Sequence, residues 1–542
     1  MSRPTRIKSG IALLVGVVAL AVPFAAIADH QDPDAYVQAT LLTAAREHPD
    51  GIFPIIVQAS DGTSTSEVAD EVSKRLDDNS TGADQLTGRF ESVTGVSAKL
   101  TGEQILDLAK DGDVEAITRD AAMVTAQAPT LDLRAEVRNL HFWLDATNLV
   151  DARQLTRARL PTIAVVDSGI QARPDFGNRI VGQISLTQLH PNAAGDGRGH
   201  GTFVSGLAAG AYGAGPGARI VSLDVMDDNG KALTSDVIAA ADWILQNKDR
   251  FDIRVANFSL HSSRPSSFRT DPLDRAVERL WFAGVVVVTS AGNYAEDGAA
   301  SGVPFAPAND PFVLTVGAAD LGTTTSAVDD SNAPWSAHGR TLDGFLKPDI
   351  GAPGRRLAGP VPMTSTLMRE RPDRALLPGY MRLSGTSFAA PIVSAAAAYV
   401  LAVHPSWSAD EVKGALMLSA EKAGKAVPGS LGVGSLDARG AQLVSRAPNP
   451  NRALNRFLIT DPSGSEYPVF DAASWDSAAK SDASWDSASW ADASWSDVSW
   501  DSASWSDASW SNASWADASW ADASWADASW ADASWADASW VD

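Results

Sequence analysis

Three residues far apart in the chain could together perform acyl transfer. Asp167 follows the apolar run TIAVV in VVDSGI, His200 stands between two glycines in GRGHGTFVSG, and Ser387 lies in LSGTSFAAP. A serine hydroxyl is a poor nucleophile until an imidazole removes its proton, and that imidazole needs a carboxylate to fix its tautomer and stabilise its charged form. The chain order Asp, His, Ser is one of those in which such triads occur on unrelated folds. A tetrahedral intermediate also needs a donor for its oxyanion. Asn293, in TSAGN directly after the apolar run GVVVVT, is the candidate at a strand end.

Each residue alone has a plainer role. An Asp before Ser-Gly is often only a turn or cap. A glycine-flanked His can fill a packed turn, and a serine opening a buried helix is commonly its N-cap. Pro391 is harder to explain blandly, because it falls just beyond the first turn of that helix, where proline is costly. Functional sites tend to break local rules of this kind. The chain has no cysteine, which removes a thiol nucleophile, a disulfide framework and a thiolate metal site, and it has no HExxH helix. With a net charge of -23, non-specific attraction to nucleic acid is excluded.

The elements that must position these groups alternate between strand and helix over residues 131–444. Residues 162–166, 218–223, 253–258, 284–289 and 312–316 read as strands, several of them continuously apolar, as in a parallel sheet covered on both faces. An α/β fold follows, and in such sheets functional groups gather beyond the carboxyl ends of the strands. Phe203, Val204, Leu207 and Ala208 have helical spacing, which sets His200 at a helix N-terminus. There the dipole disfavours an imidazolium unless a carboxylate compensates. Residues 387–403 carry no charge and form a helix buried nearly all round.

Three further segments flank this domain. Arg3, Arg6 and Lys8, an apolar run over 11–22, and Ala26-Ile27-Ala28 have the parts of a secretory signal peptide rather than a membrane anchor. No transmembrane segment is therefore expected in the mature chain, which is read as secreted. Residues 51–121 give β-α-β-α-β with a further strand near Arg89, a two-layer ferredoxin-like pattern with a T-x-x-Q capping box at Thr101 and Gln104. From residue 471 onward the chain holds 14 Asp, a single Lys480 and 13 of its 18 Trp, in an A-S-W-x-D repeat of five. A step of five turns each Trp about 140° around an α-helix, so no apolar stripe forms and an extended, weakly ordered tail is expected. A solvated tail without a partner, and a tail whose Trp faces stack on sugars of a cell envelope, both remain open.

Taken together, DSGI, GHGTFVSG, NFSL at 257–260, SAGN, KPDIGAPG from Lys347 and GTSFAAP resemble the subtilisin family of serine endopeptidases, in the family's order. The resemblance implies Ser387 as nucleophile, His200 as general base and acid, Asp167 as its orienting carboxylate and Asn293 as oxyanion donor. Ser259 and Leu260 resemble the family's substrate-pairing strand; His261 stands where the family usually has glycine, and it either narrows a subsite or points to solvent. Residues 51–125 resemble the inhibitory propeptide, with the junction in 121–129, so the chain's own propeptide is a partner besides protein and peptide substrates. The expected organisation is a signal peptide (1–28), a linker (29–50), the ferredoxin-like α+β propeptide (51–125), a subtilisin-like, mostly parallel sheet flanked by helices (130–446), a second linker (447–470) and the repeat tail (471–542). No cofactor is implied for the chemistry. Calcium is implied only as a structural ion, with no ligand residues matched. The competing function is an envelope-binding protein acting through its tail, with a vestigial protease domain.

Overall fold

The computed structural model describes residues 35–60, 62–76, 85–125 and 142–481. The signal-peptide reading, the far part of the junction and the repeats beyond residue 481 lie outside them. The first unit is a five-stranded sheet, order β1-β5-β2-β4-β3, made of β1 (Tyr36–Val37), β2 (Ile52–Ala59), β3 (Gln85–Phe90), β4 (Gly95–Thr101) and β5 (Val114–Arg119). Helices α1 (Ala39–Glu47), α2 (Thr65–Lys74) and α3 (Gly102–Leu108) accompany it. Omitting β1, this is the ferredoxin-like arrangement expected from the sequence. Thr101 and Gln104 form their capping box, and Ser64 with Glu67 forms a second at α2. Ile55, Val57, Val68, Val72, Leu100 and Ile117 build a core closed to solvent. Of the expected linker 29–50, the described part, 35–50, is structured: β1 pairs with β5, and Leu41 and Ala45 of α1 are buried in this core.

In the second unit, α4 (Phe142–Ala146) and α5 (Leu149–Leu155) lead into a large sheet. Its parallel strands run in the order β8 (Ile180–Ser185), β9 (Ile220–Asp224), β7 (Thr162–Asp167), β11 (Ile253–Phe258), β13 (Val286–Ser290) and β14 (Leu314–Asp320). Strand Ile350–Pro353 continues the parallel set beyond β14. The chain leaves β7 toward β8 and β9, then returns across it to β11, so the sheet switches direction at β7. A crevice opens at such a point beyond the carboxyl ends. Helices α6 (His200–Ala209), α7 (Thr234–Phe251), α8 (Pro272–Phe282), α9 (Thr366–Glu370) and α10 (Thr386–Val403) complete the frame. Strands β7, β9 and β13 are buried along their whole length, and so is α10 from Thr386 to Leu401. Helix α10 is apolar enough to cross a membrane, but its burial makes it a core helix.

The second linker is also structured. A turn of helix (Arg452–Asn455) and a strand pair, Leu458–Ile459 with Val469–Phe470, pack on the sheet domain, where Leu454 is fully buried. The first repeat of the tail is helical, Ala472–Ser481, rather than extended. Trp475 stacks on Phe345 and meets Phe268 edge-on, so its ring is held by tertiary partners that a periodicity argument does not contain.

One short strand joins the two units. β6 (Ala122–Thr125) lies between β10 (Ala232–Leu233) and β12 (Leu260–Ser262), antiparallel to both.

Candidate active site

Asp167 closes β7, and α6 begins with His200. Both are fully buried, and His200 Nδ1 lies 2.7 Å from Asp167 Oδ1. With Nδ1–H donating to the carboxylate, Nε2 is left as a proton acceptor, and it has no hydrogen-bond partner. Close approach of helix and strand requires Gly201, where an added Cβ would sit 2.2 Å from Gly169 O and 3.2 Å from Asp167 Oδ1. Asp196 fixes the same helix start. Its carboxylate accepts from Gly199 N–H (2.6 Å), Thr202 N–H (2.7 Å), Thr202 Oγ1 (2.6 Å) and Ser168 Oγ (2.9 Å). Burial pushes Asp196 up to about 7 against these four donors. The sequence carried only an Asp-Gly turn signal at this position.

Ser387 is the second residue of α10, whose N-cap is Gly385. The ring of Phe388 lies 5.3 Å from the His200 imidazole, which brings the two helix starts together. Ser387 Oγ donates to Ser259 O at 3.1 Å, and Ser259 Oγ donates back to Ser387 O at 2.8 Å. The second bond accounts for Pro391. A residue with an N–H four places on would claim the Ser387 carbonyl, whereas proline has none. Asn257 Nδ2 donates to Ser259 Oγ (2.8 Å), and Ser394 Oγ donates to Asn257 Oδ1 (2.9 Å), so the network runs back into α10. The structure has no hydrogen bond from Ser387 Oγ to His200 Nε2; a turn of the serine side chain away from Ser259 O is needed to make it.

Asn293 follows β13 by three residues. Its Oδ1 accepts from Thr386 N–H (2.9 Å) and Thr386 Oγ1 (3.1 Å), which turns the amide's NH₂ the other way. Asn293 Nδ2 is buried without a partner. A preorganised, unspent donor beside the serine is the arrangement that can receive developing negative charge.

β6 occupies the groove. Thr125 pairs with Leu260, Val124 with His261 and Met123 with Ser262, while Ala122 and Met123 pair with Leu233 and Ala232. Leu260 is fully buried beneath this ladder. Two carboxylates hold the neighbouring backbone. Asp120 accepts from Ser235 N–H (2.9 Å) and Ser235 Oγ (2.5 Å), capping α7, whose own N-cap Leu233 supplies no side-chain bond. Asp242 of α7 accepts from Glu91 N–H (3.0 Å) and Ser92 N–H (2.7 Å) of the first unit. Burial raises Asp120 and pushes Asp242 up to about 6. His261 is 8% exposed and does not point to solvent, because Phe305 and Tyr294 pack against its ring. Among the described residues, no group of three or more His, Asp or Glu forms a metal-ligand set, so the calcium expectation gains no residues.

A parallel sheet with a Ser, a His–Asp pair and an amide donor at its carboxyl edge defines the class of α/β serine hydrolases. Residues 159–434 match the model of the subtilase family, and the chain belongs to that family. It is 34% identical over 290 residues to serine protease AprX of Bacillus subtilis, covering 51% of this chain and 65% of that protein. It is 28% identical over 334 residues to the thermostable alkaline protease of Halalkalibacterium halodurans, covering 60% and 77%. Fervidolysin of Fervidobacterium pennivorans, described as a keratinolytic enzyme related to subtilisin, shares the fold at a TM-score of 0.58 and 19% identity, over 77% of this chain and 63% of that one.

Proposed function

We propose that this chain is a secreted serine endopeptidase made as an autoprocessed zymogen, with Ser387 as nucleophile. The observation that carries the reading is the buried 2.7 Å Asp167–His200 pair, whose Nε2 awaits a proton donor. As Ser387 Oγ attacks the scissile carbonyl, its proton passes to Nε2 and Asp167 stabilises the imidazolium. The oxyanion takes the Asn293 amide and the Ser387 N–H, which lies in the first turn of α10, where helix N–H groups lack intrahelical acceptors. His200 then returns the proton to the leaving amine; water, deprotonated by His200, releases the acyl group.

Substrate backbone adds to β12 as β6 does, by antiparallel pairing along Leu260. β6 runs toward Ser259, which is bonded to Ser387, and this supports a first cut in the chain itself just beyond Thr125. The first unit is then an inhibitor that remains in the groove. The test compares the purified secreted protein with Ser387→Ala in casein hydrolysis and propeptide release. The reading expects activity and release from the first only, with a new N-terminus at residues 127–129. Equal behaviour of the two proteins would reject it.

A further inference from the structure

The triad chemistry leaves a cluster of three rings beside the nucleophile unused. His261 stacks on Phe305 with centroids 5.3 Å apart and planes at 29°, and meets Tyr294 at 5.7 Å and 73°. Tyr294 meets Phe305 edge-on at 5.0 Å and 84°. Hydrogen bonds fix two of the rings: His261 Nδ1 lies 2.8 Å from Ser262 O, and Tyr294 OH donates to Ala291 O at 3.3 Å. The backbone beside the third is tied to β12, since Ser262 N–H donates to Ala306 O at 2.7 Å and Phe305 bridges Pro265. Tyr294 directly follows Asn293, so the cluster stands between the substrate-pairing strand and the amide donor.

The β6 register says which substrate side chain meets these rings. A peptide strand that pairs with Leu260 and continues in that direction meets Ser259 next, and the carbonyl of that peptide residue is the one nearest Ser387. Residues directly opposite across an antiparallel pair share a face, and alternate residues along a strand share it too. The side chain at the cut therefore lies on the face that carries His261. We propose that His261, Tyr294 and Phe305 close the recess for this side chain, so the enzyme cuts after small residues (alanine, glycine or serine) and disfavours large aliphatic and aromatic ones. A ring entering there would have to displace three rings already in mutual contact, His261 buried and the other two half-buried, and adding volume to filled space is costly. In the chain's own sequence the residue after Thr125 is alanine. This inference rests on the protease reading given above.

The test uses the autoprocessed enzyme and a series of internally quenched peptides differing only in the residue before the cut: Ala, Leu or Phe. The expected kcat/KM for Ala exceeds that for Phe by about tenfold or more, a discrimination within the range of pocket fit. Phe305→Gly and His261→Gly should each raise the Phe/Ala ratio by about tenfold. Peptide aldehydes ending in Ala or Phe, titrated against the unaltered enzyme, give the same ranking without any variant. A Phe peptide cut as well as the Ala peptide, a Phe aldehyde binding as tightly as the Ala aldehyde, or unchanged ratios in the folded variants would overturn the inference alone. Peptides cut no faster by this enzyme than by its Ser387→Ala form would remove the protease reading with it.

Discussion

At the scale of single residues the site is held by acceptors and donors spent in advance. Thr386 occupies both lone-pair directions of Asn293 Oδ1, which leaves the Asn293 NH₂ aimed and unpartnered. Asn293→Ala should lower kcat by about 10²–10³-fold with KM little changed, the loss found when a subtilisin's own amide donor is removed. Steady-state kinetics on a peptide substrate checks it; an unchanged kcat would place the oxyanion elsewhere. Asp167, His200, Ser387 and Asn293 were legible because each sits in a short motif at a strand or helix end. The partners that set them were not. Asp196 and Thr386 act through ordinary polar side chains whose targets are fixed only by the folded backbone. His261 was ambiguous in sequence, since a ring on a substrate strand can face solvent or core. Phe305, 44 places on, decides between them.

At the scale of elements, β7, β9, β11, β13 and β14 announced themselves as mainly apolar runs, whereas the edge strand β8 (IVGQIS), which is mostly half-exposed, and the strand Ile350–Pro353 did not. Nor did short segments. β1, the Leu458–Ile459 strand and the Val469–Phe470 strand are two residues each, too brief to carry a period. Their order comes from neighbours in the fold. Pro391 was legible as a broken rule but not as a device. Its missing N–H leaves the Ser387 carbonyl to Ser259 Oγ, and that bond docks the residue just before β12 on the first turn of α10. Pro391→Ala restores a competing N–H donor. Weakening one neutral hydrogen bond is worth about 0.5–1.5 kcal/mol, so kcat/KM should fall by roughly 2–10-fold while the melting temperature holds or rises. Kinetics and calorimetry on the folded variant separate these effects. A loss of stability without loss of activity would contradict the account.

At the scale of the whole molecule, the first unit grips the second through carboxylates that cap or clamp backbone N–H groups. Asp120 reaches Ser235 across 115 residues, and Asp242 reaches Ser92 across 150, contacts no sequence window contains. Burial raises both acids in the complex. On the zymogen reading, release of the first unit would remove the Glu91 and Ser92 contacts of Asp242 and return its carboxyl toward the ordinary value of 3.8. A group with a raised pKa in the bound state binds most strongly when protonated, so the grip is fully present at acid pH and is lost as pH rises through about 6. The cleaved propeptide should leave the enzyme about tenfold or more faster at pH 8 than at pH 5, measured by size-exclusion of the complex against time. Asp242→Asn should flatten that dependence. At the other end, Trp475 is buried among Phe268, Phe345 and Phe470. Trp475→Ala is expected to cost about 3–5 kcal/mol, as for large buried aromatics, seen as a lowered melting temperature. Truncation after residue 481 should leave both stability and casein hydrolysis unchanged.

The most direct test of the whole account is covalent. A fluorophosphonate that reacts only with an activated serine should label the mature enzyme once, at Ser387, by peptide mapping, and the labelling rate should fall by about 10³-fold or more in a folded His200→Ala variant. Labelling that is equally fast without the imidazole, or that falls on another serine, would contradict it.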